Sequence, residues 1–211
     1  MIASTLQDRL AFFVATDALK ELTRANWIYS SPRTETVAEH SWHVVLLAML
    51  LEDAAPAGTN HDRVRDLLIV HDLVEVYAGD TVLWDDVPAG DVAAREQAAG
   101  ERLMAMLPEG PRGRIDPLWR EFQAQETVEA RFARAIDALH PLIMAWSPGA
   151  HGHQNSTLRP ARILNRKQPF LEAFPPLWEL ARWLVQGAVD RQLLPPDATD
   201  PGQEDRDDGH H

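Results

Sequence analysis

His71 and Asp72 stand side by side in an apolar run, and Glu75 follows the histidine by one helical turn. Val64, Leu67 and Leu68 precede them at spacings of three and four, the period of a helix with one buried face. On that helix His71 and Glu75 share a face, and Asp72 sits about 100° round, near enough to converge on the same ion. Burying an imidazole and two carboxylates among valines and leucines is costly unless positive charge compensates, and one divalent metal ion supplies that compensation. Gly79 then ends the helix, where a left-handed backbone suits glycine, and Asp80 follows it. A second pair, His61-Asp62, comes after a Gly-Thr-Asn turn, where Asn60 or Asp62 reads as a helix cap. Only the buried pair needs a chemical reason.

Two more residues fit the same site. His40 lies on a predicted helix whose apolar stretch runs from Val44 to Leu51, and Asp137 lies between Ala133 and Leu139 on a long apolar helix, facing inward. His40, His71, Asp72 and Asp137 thus bring two imidazoles and two carboxylates from three helices. Such a set suits one divalent ion (Mn, Co, Fe, Ni, Zn or Mg) and leaves positions for water and a phosphate oxygen. His43, one turn from His40, reads as a supporting or packing residue.

The elements that must hold these residues are helical. Apolar periodicity predicts helices over 6–22, 37–53, 62–77, 91–106, 117–124, 127–144, 161–170 and 176–192, with Pro141 expected to kink the sixth. Residues 23–33 read as an aromatic- and arginine-rich loop, 108–113 as a break, and 147–160 as a candidate lid. No segment alternates as a strand would or carries a hairpin signal. The expectation is an all-α helical bundle of about seven to eight helices, one domain over 1–194 with an acidic disordered tail over 195–211.

Composition narrows the function. With no cysteine among 211 residues, thiolate-bound zinc, iron–sulfur clusters, disulfides and cysteine nucleophiles are excluded, in keeping with a cytoplasmic location. The longest apolar run has eight residues, far short of the ~18 that span a bilayer. Net charge is −12, of which −5 falls in Asp197 to His211, leaving −7 for the body. A polymeric nucleic acid is therefore an improbable partner, whereas a small anion needs only a few local arginines.

The blocks Arg33-Thr34-Glu35-Thr36-Val37-Ala38-Glu39-His40-Ser41, Val70-His71-Asp72-Leu73-Val74-Glu75 with Gly79-Asp80, and Ala135-Ile136-Asp137-Ala138-Leu139 resemble the HD-domain phosphohydrolase superfamily. Within it they resemble the branch of the bacterial 5′-deoxynucleotidases and their eukaryotic relatives. The resemblance spans roughly residues 6 to 146. It implies that His40, His71, Asp72 and Asp137 bind the metal, that Glu75 orients or deprotonates the attacking water, and that Asp80 helps position substrate or water. It further implies Arg24 and Arg33 as phosphate ligands and Trp27 as the residue packing on sugar or base. Two residues separate Arg24 from Trp27, where the bacterial members have the two adjacent. The implied activity is hydrolysis of a (deoxy)nucleoside monophosphate by a protein that is generally a homodimer. Two alternatives stand beside it: the same site acting on a triphosphate, a guanosine polyphosphate or a cyclic phosphodiester, or a non-catalytic nucleotide-binding scaffold.

Overall fold

The computed structural model describes residues 4–79, 89–150, 155 and 157–197. In chain order it comprises α1 (Ser4–Ala15), a 3₁₀ turn (Thr16–Lys20), β1 (Thr23–Trp27), β2 (Thr34–Thr36), α2 (Val37–Leu50), a second 3₁₀ turn (Glu52–Ala54), α3 (His61–Val70), the short α4 (Glu75–Ala78), α5 (Ala89–Met104), α6 (Glu109–Ala124), α7 (Val128–Trp146), α8 (Pro160–Leu171) and α9 (Pro175–Asp190). Eight helices of ten residues or more make the chain the expected all-α bundle among the described residues. None of them is long and apolar enough to cross a membrane.

Helix α7 is the centre of the bundle. Thr127 caps its start by accepting from the Ala130 backbone N–H at 3.1 Å. Its buried residues, among them Phe132, Ile136, Leu139 and Trp146, cover most of its circumference because α2, α3, α6, α8, α9 and β1 all pack against it. Helix α2 lies on one side and opens with a capping box. Thr36 Oγ1 accepts from the Glu39 N–H, and the Glu39 carboxylate accepts from the Thr36 N–H. Its buried stripe is Val37, His40, Val44 and Ala48, so the period of the core face itself carries His40 inward.

Three expectations are corrected. The loop expected over 23–33 is partly an antiparallel ribbon of β1 and β2, pairing Thr23 with Thr36 and Trp27 with Thr34 through an irregular register. With β2 only three residues long and the register broken, no sustained alternation could show in the sequence. The helix expected over 62–77 stops at Val70, and the chain passes through tight i→i+3 turns, such as Glu75 N–H to the Asp72 carbonyl at 3.1 Å, before the short α4 takes up at Glu75. The cause is His71, whose Nδ1 bonds the Leu68 carbonyl at 2.7 Å, an acceptor that a continuous helix would give to the Asp72 N–H. The break expected over 108–113 is the first turn of α6. Pro108 is its cap and Pro111 falls where backbone N–H groups have no acceptor in the helix anyway.

The ribbon's far end is fixed too. Tyr29 donates its hydroxyl to the Pro148 carbonyl at 2.8 Å, just past the C-terminus of α7. Gly149 makes room there with φ +83°, since a Cβ would lie 2.6 Å from that hydroxyl. Of the segment expected as a tail, Asp197 accepts from the Ala161 N–H at the start of α8, and residues from 198 onward lie outside the described residues.

Candidate metal centre

Four elements deliver the cluster. His40 comes from the buried stripe of α2, His71 and Asp72 from the tight turn after α3, Asp137 from α7, and Arg24 from β1. His40 Nε2 lies 3.1 Å from Asp137 Oδ1 and 3.8 Å from Asp72 Oδ2. His71 Nε2 lies 3.1 Å from Asp72 Oδ2 and 3.8 Å from Asp137 Oδ1. Nitrogen and oxygen donors held about 2.1 Å from one ion stand roughly 3.0 to 3.4 Å apart, depending on geometry. Two of the observed spacings, at 3.1 Å, fall within that range and the two at 3.8 Å lie just above it.

His71 Nε2 is also buried without a hydrogen bond, although Nδ1 is engaged by Leu68, so a lone pair at Nε2 has one use. His40, His71 and Asp72 are close enough to one another to hold a divalent ion, and Asp137 faces both histidines as a fourth donor. Both carboxylates are 15% exposed, which leaves the centre a route to solvent. The second oxygen of Asp137 is held by Arg134 at 3.3 Å.

In the metal-free protein, protons and Arg24 balance the charge. Burial opposes the charged form of His71, but Asp72 and Asp137 overcome it and raise its pKa to about 10. His40 is raised as well: burial and Arg24 act against protonation, and Asp137 and Glu35 outweigh them. Asp72 is driven far down, with burial opposing and His71 and Arg24 prevailing. Asp137 goes the same way, with burial opposing and the hydrogen bond from His40 and the charges of both histidines prevailing.

The structure brings Arg24 and Glu75 to the edge of the cluster. Arg24 Nη1 is 2.8 Å from Asp72 Oδ2 and 3.7 Å from Glu75 Oε1. Trp27, three residues on in β1, is half-buried as well. Arg33 is not brought to the cluster. It makes a paired 2.9 Å contact with Glu39, with about half its side chain exposed, and so secures the start of α2. Asp80, and residues 151–154 and 156 of the loop expected as a lid, lie outside the described residues.

Sequence reading missed several neighbours. Glu35, on β2, is 2% exposed and faces His40 Nδ1 at 3.4 Å. His140, a turn past Asp137, is fully buried, bonds His43 at 3.0 Å, and is kept neutral by burial and by the cations around it. Lys167 of α8 is buried, and burial lowers its pKa to about 8, with Asp137 opposing and Arg24 and Arg134 adding to the effect. Glu96 of α5 is raised by burial, with the charge of Asp72 contributing. Only Glu35 lay inside a block that drew notice, and its side chain's direction depends on the ribbon.

The sequence profile of the family described as HD domain matches residues 16–178. The human 5′-deoxynucleotidase HDDC2 is 31% identical over 137 residues, 64% of this chain and 66% of that protein, so the match spans about two thirds of the relative's length. The 5′-deoxynucleotidase of Erwinia tasmaniensis is 29% identical over 187 residues, covering 81% of this chain and 93% of that protein. Among solved structures, a predicted metal-dependent phosphohydrolase from Magnetospirillum magnetotacticum MS-1 superposes with a TM-score of 0.77 at 35% identity, over 92% of this chain and 99% of that one.

Proposed function

The chain belongs to the HD-domain family, and we propose that it is a metal-dependent phosphohydrolase, a 5′-nucleotidase that converts (deoxy)nucleoside monophosphates to nucleoside and phosphate. The observation that carries this reading is the pairing of the four-donor cluster with Glu75 and Arg24 at its edge. When bound, the ion supplies a Lewis acid for a phosphate oxygen and lowers the pKa of a water. His40, His71, Asp72 and Asp137 hold it.

Arg24 offers a guanidinium whose paired donors match two phosphate oxygens, and it reaches them by trading its contact with Asp72. Glu75, within the same group of charges, takes a proton from the attacking water as its oxygen bonds to phosphorus. The P–O bond to the nucleoside breaks in line, and the departing oxygen takes up a proton. Trp27 packs against sugar or base, and Asp80 helps position substrate or water. Arg33, paired with Glu39 on the exposed start of α2, contributes to the stability of that helix start and not to the centre.

A second reading lengthens the phosphate chain. The sequence offered no extra basic residue close behind the His-Asp pair, but the fold sets Arg134 and Lys167 near Asp137, two more cations for a triphosphate or polyphosphate.

A homodimer in the cytoplasm, one domain with an acidic tail, belongs to the same proposal. Trp42, Leu46, Met49 and Leu50 form an exposed apolar row on α2 that a second copy would cover.

The test is phosphate release from ribo- and deoxyribonucleoside mono- and triphosphates with each candidate ion. Release from monophosphates supports the first reading, release confined to triphosphates the second, and release from neither with metal bound contradicts both.

A further inference from the structure

Glu35 sits on β2, immediately before the residue that caps α2, and its carboxylate is buried where three donors converge. Oε1 faces His40 Nδ1 at 3.4 Å, Arg24 Nε at 3.5 Å and His140 Nδ1 at 4.0 Å. Glu35 Oε1, His40 Nδ1 and His140 Nδ1 are each fully buried and, at these distances, make no completed hydrogen bond. Buried polar atoms are seldom left so, and these three have one another.

Charge decides the protons. A carboxylate oxygen repels a bare imidazole nitrogen, so both Nδ1 atoms facing it carry hydrogen. His140 then accepts at Nε2 from His43 Nδ1, which is the contact seen at 3.0 Å. His40, protonated at Nδ1, keeps Nε2 for the site. His71 is arranged alike, with Nδ1 on the Leu68 carbonyl and Nε2 toward Asp72. The two histidines of the cluster therefore present the same nitrogen, each fixed from behind by an oxygen.

We infer that Glu35 is the positioning carboxylate of this centre: it takes the Nδ1 hydrogen of His40, which aims Nε2 at the ion, and with the same oxygen it holds Arg24 Nε. One oxygen thereby sets the orientation of a metal ligand and of the phosphate-binding arginine. The role of Arg24 rests on the proposed function; that of His40 rests on the metal alone. Glu35, His40 and His140 are also close enough to hold an ion of their own. The Arg24 guanidinium at 3.5 Å already supplies positive charge to that oxygen, which favours the positioning role.

The full chain, stripped and reloaded, decides the matter with two variants. Glu35→Gln removes the charge, and Glu39→Gln alters a carboxylate of the α2 cap without touching His40. Zinc affinity by chelator competition is expected to fall ~10–100-fold in Glu35→Gln and to stay at the wild-type value in Glu39→Gln, whatever each does to thermal stability. Nitrogen-15 shifts of His40 in the zinc-loaded wild type are expected to show a hydrogen on Nδ1 and zinc on Nε2.

Unchanged zinc affinity in Glu35→Gln, zinc on Nδ1 of His40, or two zinc ions per wild-type chain falling to one in the variant would overturn the inference. Should Glu35→Gln not fold, Glu35→Asp, which keeps the charge and retracts the oxygen, is read by the same criteria alongside the wild-type shifts. Phosphate release by the wild type is scored separately. Activity with zinc affinity insensitive to Glu35 removes this inference and leaves the function. A sensitive affinity with no release does the reverse.

Discussion

Arg24 Nη1 lies 2.8 Å from Asp72 Oδ2, the oxygen that also faces His71 Nε2 at 3.1 Å. A guanidinium thus shares a carboxylate with the proposed ion, and two positive charges so close repel each other. Replacing Arg24 with Met is expected to tighten metal binding by about tenfold or more, because even at an effective dielectric of ~20 charges ~4 Å apart interact by several kcal/mol. The same variant should lose most of its kcat/KM for phosphate substrates. Metal titration and steady-state kinetics on one preparation check both halves; tighter metal with intact turnover would remove Arg24 from substrate binding.

Glu75 divides the machinery differently. It borders the donors without being one of the four, and its Oε1 is 3.7 Å from Arg24. In Glu75→Gln the ion should bind as in the wild type while kcat falls ~10²–10⁴-fold, the usual worth of a positioned general base. Wild-type turnover in that variant would exclude it from proton transfer.

The protons on the two histidines compete with the ion. His71 must shed a proton held with a pKa raised to about 10, and His40 one that is also raised. Metal affinity should therefore climb as pH rises from 6 to 8.5, by up to ~tenfold per unit for each proton displaced. Calorimetry in buffers of different ionisation heat would register the release, and a pH-independent affinity would contradict it. The metal-free chain responds in the opposite sense. A raised His71 pKa stabilises it fully below the unfolded value of 6.5, and that stabilisation disappears as pH rises through about 10. Its Tm should fall across that window, and the metal-loaded chain, having no such proton to lose, should be less affected.

Arg33 and Glu39 act on stability. The Arg33 hydrogen bonds, then the Thr36 N–H, lower the Glu39 pKa to about 2. A depressed carboxylate stabilises the fold above its unfolded value near 4.5, and the gain is lost as pH falls through about 2. Removing the cap with Thr36→Ala should cost ~1 kcal/mol. Glu39→Gln should cost less, since the pair is exposed and screened, and its difference from the wild type should shrink as pH drops from 4.5 toward 2. Thermal melts over that range are the check.

His40 and Asp137 stand out in the sequence as polar side chains whose helical period points inward, and His71 and Asp72 as an ionisable pair closing an apolar run. Glu75 stands out by its spacing of one helical turn from His71, and Arg24 through the resemblance. Glu35 and Lys167 are not legible in the sequence, because their approach to the cluster depends on where β2 and α8 pack, which no local period encodes; Arg134 stands one turn before Asp137 on α7, a spacing the sequence does show. The bundle followed from periodicity. Its errors came where a side chain overrode the backbone pattern, as His71 does at the Leu68 carbonyl, or where a strand was too short to alternate, as β2 is.

The most direct test of the central claim is metal stoichiometry against turnover. Chelator-stripped protein is titrated with Mn²⁺ or Co²⁺ while phosphate release from a deoxynucleoside monophosphate is followed, in the wild type and in His71→Ala. The account predicts no release without metal, a rise that saturates at one ion per chain, and no rescue of His71→Ala. Release from the stripped protein, or from His71→Ala at the wild-type rate, would contradict it.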